Sequence, residues 1–325
     1  MKGFNAVVRM ATVGMLMGVA SSVPAQQDYP NKPIRFITPF VPGGSTTIVA
    51  RLIGKKLIES WGQQVVVENR PGGNTAIGTE AAARSPADGY TILLASSGHT
   101  LLPQLQPVSY DPIKDFAAVA TLAKTEIVLV IHASVPANNL QEFIAVARSR
   151  PGQLNYATPG AGGIQHLGTE SLNIMAGIKT QHVPYKGAGQ ALTDLIGGQV
   201  QFYLISGAAF VPQSKNPKLK AIAVTGDTRM PALPEVPTFA EAGLPGFELK
   251  SWSAVLAPAG TPKPIVDKLS REIAKYLAQP DFREKLVSQG MDPFISTPEQ
   301  LAARMKEDFA KFARIIKTAN IKMEN

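Results

Sequence analysis

The chain of 325 residues contains no cysteine. It therefore has no disulfide framework, no thiolate metal site and no cysteine to carry a lipid anchor. Its four histidines are dispersed without the spacing of a metal site, and only His166 and Glu170 stand one helical turn apart. Because two ligands do not make a closed metal site, the sequence predicts neither a metal nor any other cofactor.

The common catalytic motifs are also missing. The chain has no G-x-S-x-G nucleophile turn, no H-E-x-x-H zinc motif and no G-x-x-x-x-G-K-[ST] phosphate loop. Since the residues of a catalytic triad assemble only in space, a secreted hydrolase acting on a small anionic substrate stays open as an alternative. The absence of any motif favours a protein that is not an enzyme.

Positive charge is present but not concentrated. The formal net charge of +8 becomes +6 when the charges of Lys2 and Arg9 are removed with the N-terminal segment. The remaining lysines and arginines are scattered and little interleaved with aromatic residues, which argues against nucleic-acid binding. A mild positive field instead favours the capture of small anions.

The first 25 residues have the order of a secretory signal peptide. Lys2 and Arg9 form a basic end, residues 10–20 form an apolar core, and Val23-Pro24-Ala25 is a small-residue cleavage site. An uncleaved membrane anchor is the alternative, but the apolar run is short, and no later segment has the roughly 20 apolar residues of a span. We therefore expect cleavage after about Ala25 and export of a protein without a lipid anchor.

Strand-like and helix-like segments alternate almost throughout the chain, which predicts α/β layers with mainly parallel sheets. Two stretches about 115 residues apart repeat one order: a β-like run, a glycine-rich loop and an amphipathic helix. In the first stretch, loop 42–47 leads into a helix from Ile48. In the second, loop 159–165 leads into a helix from His166.

Two further apolar strands are expected to carry the chain between two halves. The run 126–132 leaves the first half, and the strand 251–257 returns to it. Two such connections between the halves would form a hinge. The predicted division is a first lobe of residues 26–127 and 254–325 and a second lobe of residues 128–253.

Each glycine loop would present backbone N–H groups and hydroxyls at a helix N terminus, which is a favourable site for an anion. Gln165 occupies the position of the third glycine in G-x-G-x-x-G, so the sequence does not favour a nucleotide. An ordinary strand-to-helix turn is the alternative for each loop. Two such loops in separate halves suggest a clamp that closes on a small anion.

Seven segments in a fixed order cover nearly the whole chain after Ala25: Tyr29–Arg35 with Pro39–Gly44, Val67–Gly72, Pro86–Thr91, Tyr156–Gly160, His182–Gly187, Leu195–Val200 and Pro237–Gly243. Together they resemble the Bug-type (TctC-like) solute-binding proteins of tripartite tricarboxylate transporters. The resemblance implies a monomeric, two-lobed periplasmic binding protein of the Venus flytrap, type II-like kind, with two doubly wound sheets joined by a two-crossing hinge. It also implies a small organic acid as ligand and the integral membrane permease subunits as partners.

Two positions depart from the pattern of that family. Its members commonly carry an aspartate where this chain has Thr47, and many carry an acidic or amide residue where it has Ser206. Hydroxyls and backbone N–H groups donate without bringing charge of their own. We therefore expect an aliphatic or aromatic mono- or dicarboxylate without an amino group.

Other candidate residues follow the ends of strands, where open α/β sheets place their ligands. Tyr185 is expected to wall the cleft, Lys186 to be a solvated charge, and His166 either to donate to the anion or to be a packing histidine. The predicted ligand-binding residues are Phe40, Pro42, Gly43, Gly44, Ser45, Thr46, Thr47, Ser96, Ser97, Thr158, Ala161, Gly162, Gly163, Gln165, His166, Tyr185 and Ser206.

Overall fold

A computed structural model describes residues 29–42, 45–185, 187–249, 251–288, 291–319 and 321. The predicted signal peptide, Gly43, Gly44 and Lys186 lie outside the described residues. Over these ranges, the structure contains no helix that is long and apolar enough to cross a membrane.

The described elements form two α/β lobes. The first part of the chain supplies β1 (Ile34–Thr38), α1 (Ser45–Trp61), β2 (Val65–Asn69), α2 (Ala76–Ala83), β3 (Thr91–Ser96), α3 (Gly98–Leu101) and β4 (Phe116–Thr125). The middle part supplies β5 (Ile127–His132), α4 (Leu140–Ser149), β6 (Asn155–Thr158), α5 (Ile164–Ala176), β7 (Gln181–Pro184), α6 (Ala188–Ile196), β8 (Phe202–Ser206), α7 (Gly207–Phe210) and β9 (Leu219–Val224). The last part supplies β10 (Ser251–Pro258), α8 (Lys263–Leu277), α9 (Pro280–Ser288), β11 (Asp292–Pro293) and α10 (Pro298–Ala319).

Each lobe is built on a mixed sheet rather than a mainly parallel one. The first sheet has the strand order β11-β4-β10-β3-β1-β2, and β10 runs antiparallel to both of its neighbours. The second has the order β7-β6-β8-β5-β9, and β5 runs antiparallel to both of its neighbours. The reversal follows from the crossings, because β5 and β10 enter a sheet from the edge at which its parallel strands end.

The two crossings join these edges. Ser251, at the start of β10, pairs with Thr125, and Ile127, at the start of β5, pairs with Ser206 at the end of β8. The start of β10 also lies beside Ser96, at the end of β3. The carboxyl ends of the parallel strands in both lobes therefore meet at the joint between the lobes. The exact residue limits of the two lobes stay a prediction.

The burial of β5 explains why it reads as a continuous apolar run. Ile127, Leu129 and Ile131 pack into one core of the second lobe, and Val128 and Val130 pack into another core on the opposite face. A strand covered on both faces has no polar side, so its sequence shows no alternation.

A smaller apolar cluster joins the lobes. It contains Leu101 of α3, Ile164 and Leu167 of α5, and Phe312 and Ile315 of α10. The last helix, α10, packs on both α3 and α5. The first turn of α5 is thus fixed against two elements of the first lobe.

Candidate ligand-binding site

The first glycine loop joins β1 to α1 and is held by Asn69 and Thr47. The Asn69 side-chain amide donates to the Phe40 carbonyl (2.9 Å) and to Thr47 Oγ1 (3.0 Å). Thr47 Oγ1 in turn donates to the Val41 carbonyl (3.1 Å), and Thr47 is only 1% exposed. Because the hydroxyl has a single proton, Thr47 holds the loop in this structure rather than offering a donor to a ligand.

The other predicted residues of this loop surround the start of α1. The helix begins at Ser45, earlier than the predicted start, so Thr46 lies in its first turn and is half-buried, while Pro42 is exposed. Gly43 and Gly44 come directly before and lie outside the described residues. The first backbone N–H groups of a helix have no partner within it. Such groups at a helix N terminus can bind an anion, and in the first lobe they lie at the start of α1.

Ser96 and Ser97 lie at the joint between the lobes. The Ser97 N–H donates to the Trp252 carbonyl (3.0 Å), and Ser97 Oγ lies 3.4 Å from Ser251 Oγ. Ser97 is buried, whereas Ser96 is half-buried at the end of β3. Through these contacts, Ser97 connects the carboxyl edge of the first sheet to the returning strand β10.

His99, which follows them, lies in the interior of the first lobe. Its Nε2 is 2.9 Å from the Pro112 carbonyl, and its ring packs against Tyr110 and Phe116. Burial lowers the pKa of His99 to about 4. The ring is therefore neutral at pH 7 and serves the core of the lobe.

The second glycine loop, residues 159–163, joins β6 to α5. Thr158 Oγ1 donates to the Gly160 carbonyl (2.9 Å), and the Gly162 N–H donates to His166 Nδ1 (3.0 Å). Gly162 has a φ of 71°, in the left-handed region that glycine adopts without steric cost. The course of the loop therefore depends on Gly162 and on the side chains behind it.

Two stacked histidines lie behind this loop. The ring centroids of His166 and His182 are 3.9 Å apart, with an interplanar angle of 14°. Burial lowers the pKa of His166 to about 4, and burial together with repulsion from His166 lowers the pKa of His182 to about 3. Both rings are neutral at pH 7, so His166 brings no positive charge to the loop.

The helix after the loop begins at Ile164, earlier than the predicted start at His166. Gly163 is its N-cap residue, with extended backbone angles (φ −80°, ψ 171°). Gln165 lies in the first turn, and both Gln165 and Ala161 are half-buried. This helix terminus is the counterpart, in the second lobe, of the start of α1.

Tyr185 and Ser206 lie at the same edge of the second sheet. The Tyr185 hydroxyl donates to the Asp194 carboxylate (2.8 Å), and burial with this carboxylate raises the pKa of Tyr185 to about 12. Its ring packs against the core of the lobe. Ser206 is half-buried at the end of β8, beside the first crossing.

The structure brings the two glycine loops to edges that the crossings join. Ile164, directly after the second loop, lies in one apolar cluster with Leu101, which comes shortly after the end of β3 at Ser96. The predicted residues near the joint are Ser96, Ser97 and Ser206. Those on the loops and helix starts are Phe40, Pro42, Ser45, Thr46, Thr47, Thr158, Ala161, Gly162, Gly163, Gln165 and His166.

Residues 49–321 match the family described as tripartite tricarboxylate transporter family receptor. The chain belongs to this receptor family. BugT of Bordetella pertussis is 35% identical over 321 residues, which cover 97% of this chain and 98% of BugT.

Two solved structures of similar proteins contain carboxylates. R. palustris Rpa4515 with adipate has 35% identity and a TM-score of 0.80, with 91% of this chain and 99% of the other covered. MatC (Rpa3494) from Rhodopseudomonas palustris with bound malate has 32% identity and a TM-score of 0.74, with 89% and 100% covered. The resemblance seen in the sequence motifs and the predicted two-lobed fold of this receptor are thus confirmed.

Sequence reasoning missed several groups of the receptor at these strand ends. Asn69 fixes the first loop, and His182 stacks on His166. Residues 72–75 form a run in which all four φ angles are positive, including φ 84° at the β-branched Thr75. The available signal was position in the sheet, because Asn69 ends β2 and the run 72–75 follows it, at the same sheet edge as the first glycine loop.

Proposed function

We propose that this receptor captures a small mono- or dicarboxylate between its two lobes. The observation that carries the proposal is the pair of glycine loops, one in each lobe, at the sheet edges that the crossings join. Rpa4515 and MatC, which share its fold, contain adipate and malate. We infer capture and release as its task, without turnover of the ligand.

In this proposal the donors are backbone N–H groups at the starts of α1 and α5, with Ser96 and Ser206 as nearby hydroxyls. Each helix terminus contributes about 0.3 to 1 kcal/mol through its dipole, or up to about 2 kcal/mol where it is partly buried. Most of the affinity must then come from direct hydrogen bonds to the carboxylate, which become stronger as the closing lobes exclude water.

We further propose that the receptor acts in the periplasm as a monomer and delivers its ligand to the integral membrane permease subunits of a tripartite tricarboxylate transporter. Export would use the first 25 residues as a cleaved signal peptide. Mass spectrometry of the protein purified from a periplasmic extract should give an N terminus close to residue 26. A chain recovered from the membrane with its N terminus intact would contradict this part of the proposal.

Isothermal titration calorimetry tests the ligand class. We expect one-site binding of at least one acid from a panel of adipate, malate, phthalate and terephthalate, with weak or no binding of aspartate and glutamate. The reason is that the proposed donors are neutral, and that Thr47 and Ser206 stand where members of the family commonly carry acidic or amide groups. Preference for a zwitterionic amino acid would overturn the ligand class. Conversion of a bound acid, detected by NMR of the mixture, would favour the hydrolase alternative.

Small-angle scattering tests the clamp. A ligand that contacts both lobes binds the closed form better and shifts the population toward it. Saturation with an acid that binds in calorimetry should therefore reduce the radius of gyration, whereas the same concentration of a non-binding amino acid should not. An unchanged radius at saturation would argue that the ligand sits on one lobe only.

A further inference from the structure

The second glycine loop is bound at two points by one pair of imidazoles. The Gly162 N–H donates to His166 Nδ1 at 3.0 Å. His182 Nε2 lies 2.7 Å from Thr158 Oγ1, which also bonds the Gly160 carbonyl at 2.9 Å. The two rings are stacked, so the ring at each attachment point packs directly against the ring at the other.

These contacts fix where the protons lie. His166 Nδ1 accepts from a backbone N–H, so the neutral His166 ring carries its proton on Nε2. The Thr158 hydroxyl has one proton and gives it to the Gly160 carbonyl, so His182 donates to Thr158 from its own Nε2. Both rings are therefore held as the Nε2–H tautomer.

We propose that His166 and His182 are positioning residues that hold loop 159–163 in its ligand-ready form while His166 Nδ1 is unprotonated. The inference rests on the proposed function, since it assigns a control on the same carboxylate site. Protonation at Nδ1 turns the acceptor of the Gly162 N–H into a second donor, and the bond that fixes the middle of the loop is lost.

Among the residues that the structure describes, no charged group bonds to either ring. Tyr156 of β6 lies against both rings and donates its hydroxyl to Glu170 of α5, one turn after His166. Glu170 also accepts from the Asn173 amide. On α6, the Asp194 carboxylate is bound by the Tyr185 hydroxyl, and β8 contributes Phe202, which packs against Tyr156.

The direction of the pH effect follows from the lowered pKa of each ring. The pKa of His166 falls from 6.5 to about 4 on folding, so the folded protein resists protonation more than the unfolded chain does. The contribution of the pair to stability is therefore present above about pH 6.5 and is lost as the pH falls toward 4. Carboxylate affinity should fall only as the pH approaches about 4, where the folded protein itself takes up the proton and the loop loses its bond.

Substitutions of His166 test the proposal through the Gly162 amide, whose hydrogen exchange is measured by NMR without ligand. His166→Leu removes the acceptor, and we expect exchange at Gly162 to become about tenfold faster, as for the loss of one hydrogen bond. His166→Asn places Oδ1 near the position of Nδ1 and should restore protection. His132→Leu, at a histidine that bonds Ser134 at the far edge of the same sheet, is the matched control and should change nothing at Gly162.

The second measurement is the affinity for adipate or malate, whichever of the two acids the wild type binds. We expect about a tenfold loss in His166→Leu, rescue to within about threefold in His166→Asn, and wild-type affinity in His132→Leu. Because the asparagine amide does not titrate, His166→Asn should also retain its affinity as the pH falls to about 4, where the wild type loses it.

Two results would overturn the proposal: unchanged Gly162 exchange in His166→Leu, or equal behaviour of the leucine and asparagine variants. If His166→Leu does not fold, Thr158→Val against Thr158→Ser gives the same comparison at the His182 end of the pair. A wild type that binds no acid of the panel would refute the proposed ligand class, while exchange at Gly162 would still decide the role of the histidines.

Discussion

Replacement of Gly162 by valine should abolish carboxylate binding, with a loss of affinity of at least about 100-fold. Gly162 has φ 71°, where an L residue is strained by about 1 to 2 kcal/mol and a β-branched one by more. The loop would relax and move the N–H groups that we propose to bind the carboxylate. Two lost hydrogen bonds to a charged group, at about 1.5 to 3 kcal/mol each, account for the expected size of the effect.

Gly152→Val is the matched control. Gly152 has φ 74°, and it lies before β6, at the opposite edge of the same sheet. Its substitution should cost similar stability in chemical denaturation and leave the calorimetric affinity unchanged. Equal affinities in Gly162→Val and Gly152→Val would show that the second glycine loop is not part of the site.

Gly163→Ala separates ligand approach from strain. Gly163 has φ −80°, and an added Cβ would lie 3.7 Å from the Gly160 carbonyl oxygen and 3.8 Å from Gln165 Oε1, which are ordinary contacts. The substitution should therefore leave the ligand-free protein intact. A fall in affinity without a fall in stability would place the carboxylate against the N terminus of α5.

The glycine loops could be predicted because their signals are local. Each follows a β-like run, contains glycine where the chain turns, and precedes a helix with apolar residues on one face. A capping box at the start of α10 is equally local: the Gln300 N–H donates to Thr297 Oγ1, and the Thr297 N–H donates to Gln300 Oε1. Such features depend on neighbours within a few positions, which the sequence displays directly.

Strand β4 was not predicted because its identity depends on its partner. The segment Phe116–Thr125 contains four alanines and shows neither strict alternation nor a dense β-branched run. It becomes a strand by pairing along β10, whose own sequence is strongly apolar. The direction of β10 could not be predicted either, because it depends on the edge at which the chain re-enters the sheet.

The roles of side chains at the site could not be predicted, because they depend on hydrogen bonds and ring contacts between residues that are far apart in the sequence. Asn69 and Thr47 are 22 positions apart, yet the amide of one fixes the hydroxyl of the other. His182 is 16 positions from His166 and reaches it only because β7 and α5 flank β6 and its loop. The type of residue predicts a donor or an acceptor, but the fold decides whether that group remains available to a ligand.

Phe312→Ala should give the second large effect, on the joint between the lobes. Phe312 of α10 is 3% exposed in the cluster that also contains Leu101 and Leu167. Truncation of a buried phenylalanine typically costs about 3 to 5 kcal/mol. Because this cluster lies between α3, α5 and α10, part of that cost can be relieved by separation of the lobes. Denaturation should show the loss, and scattering of the ligand-free variant should show a larger radius of gyration.

Phe282→Ala provides the comparison, because Phe282 of α9 is 1% exposed in the core of the first lobe alone. It should lower the free energy of unfolding by a similar amount without changing the radius. The two variants should also differ in ligand affinity. In Phe312→Ala a larger fraction of the protein is open, so a ligand that binds the closed form should bind with a lower apparent affinity. Equal radii and equal affinities in both variants would mean that Phe312 serves only packing, and that the lobes are held together by other contacts.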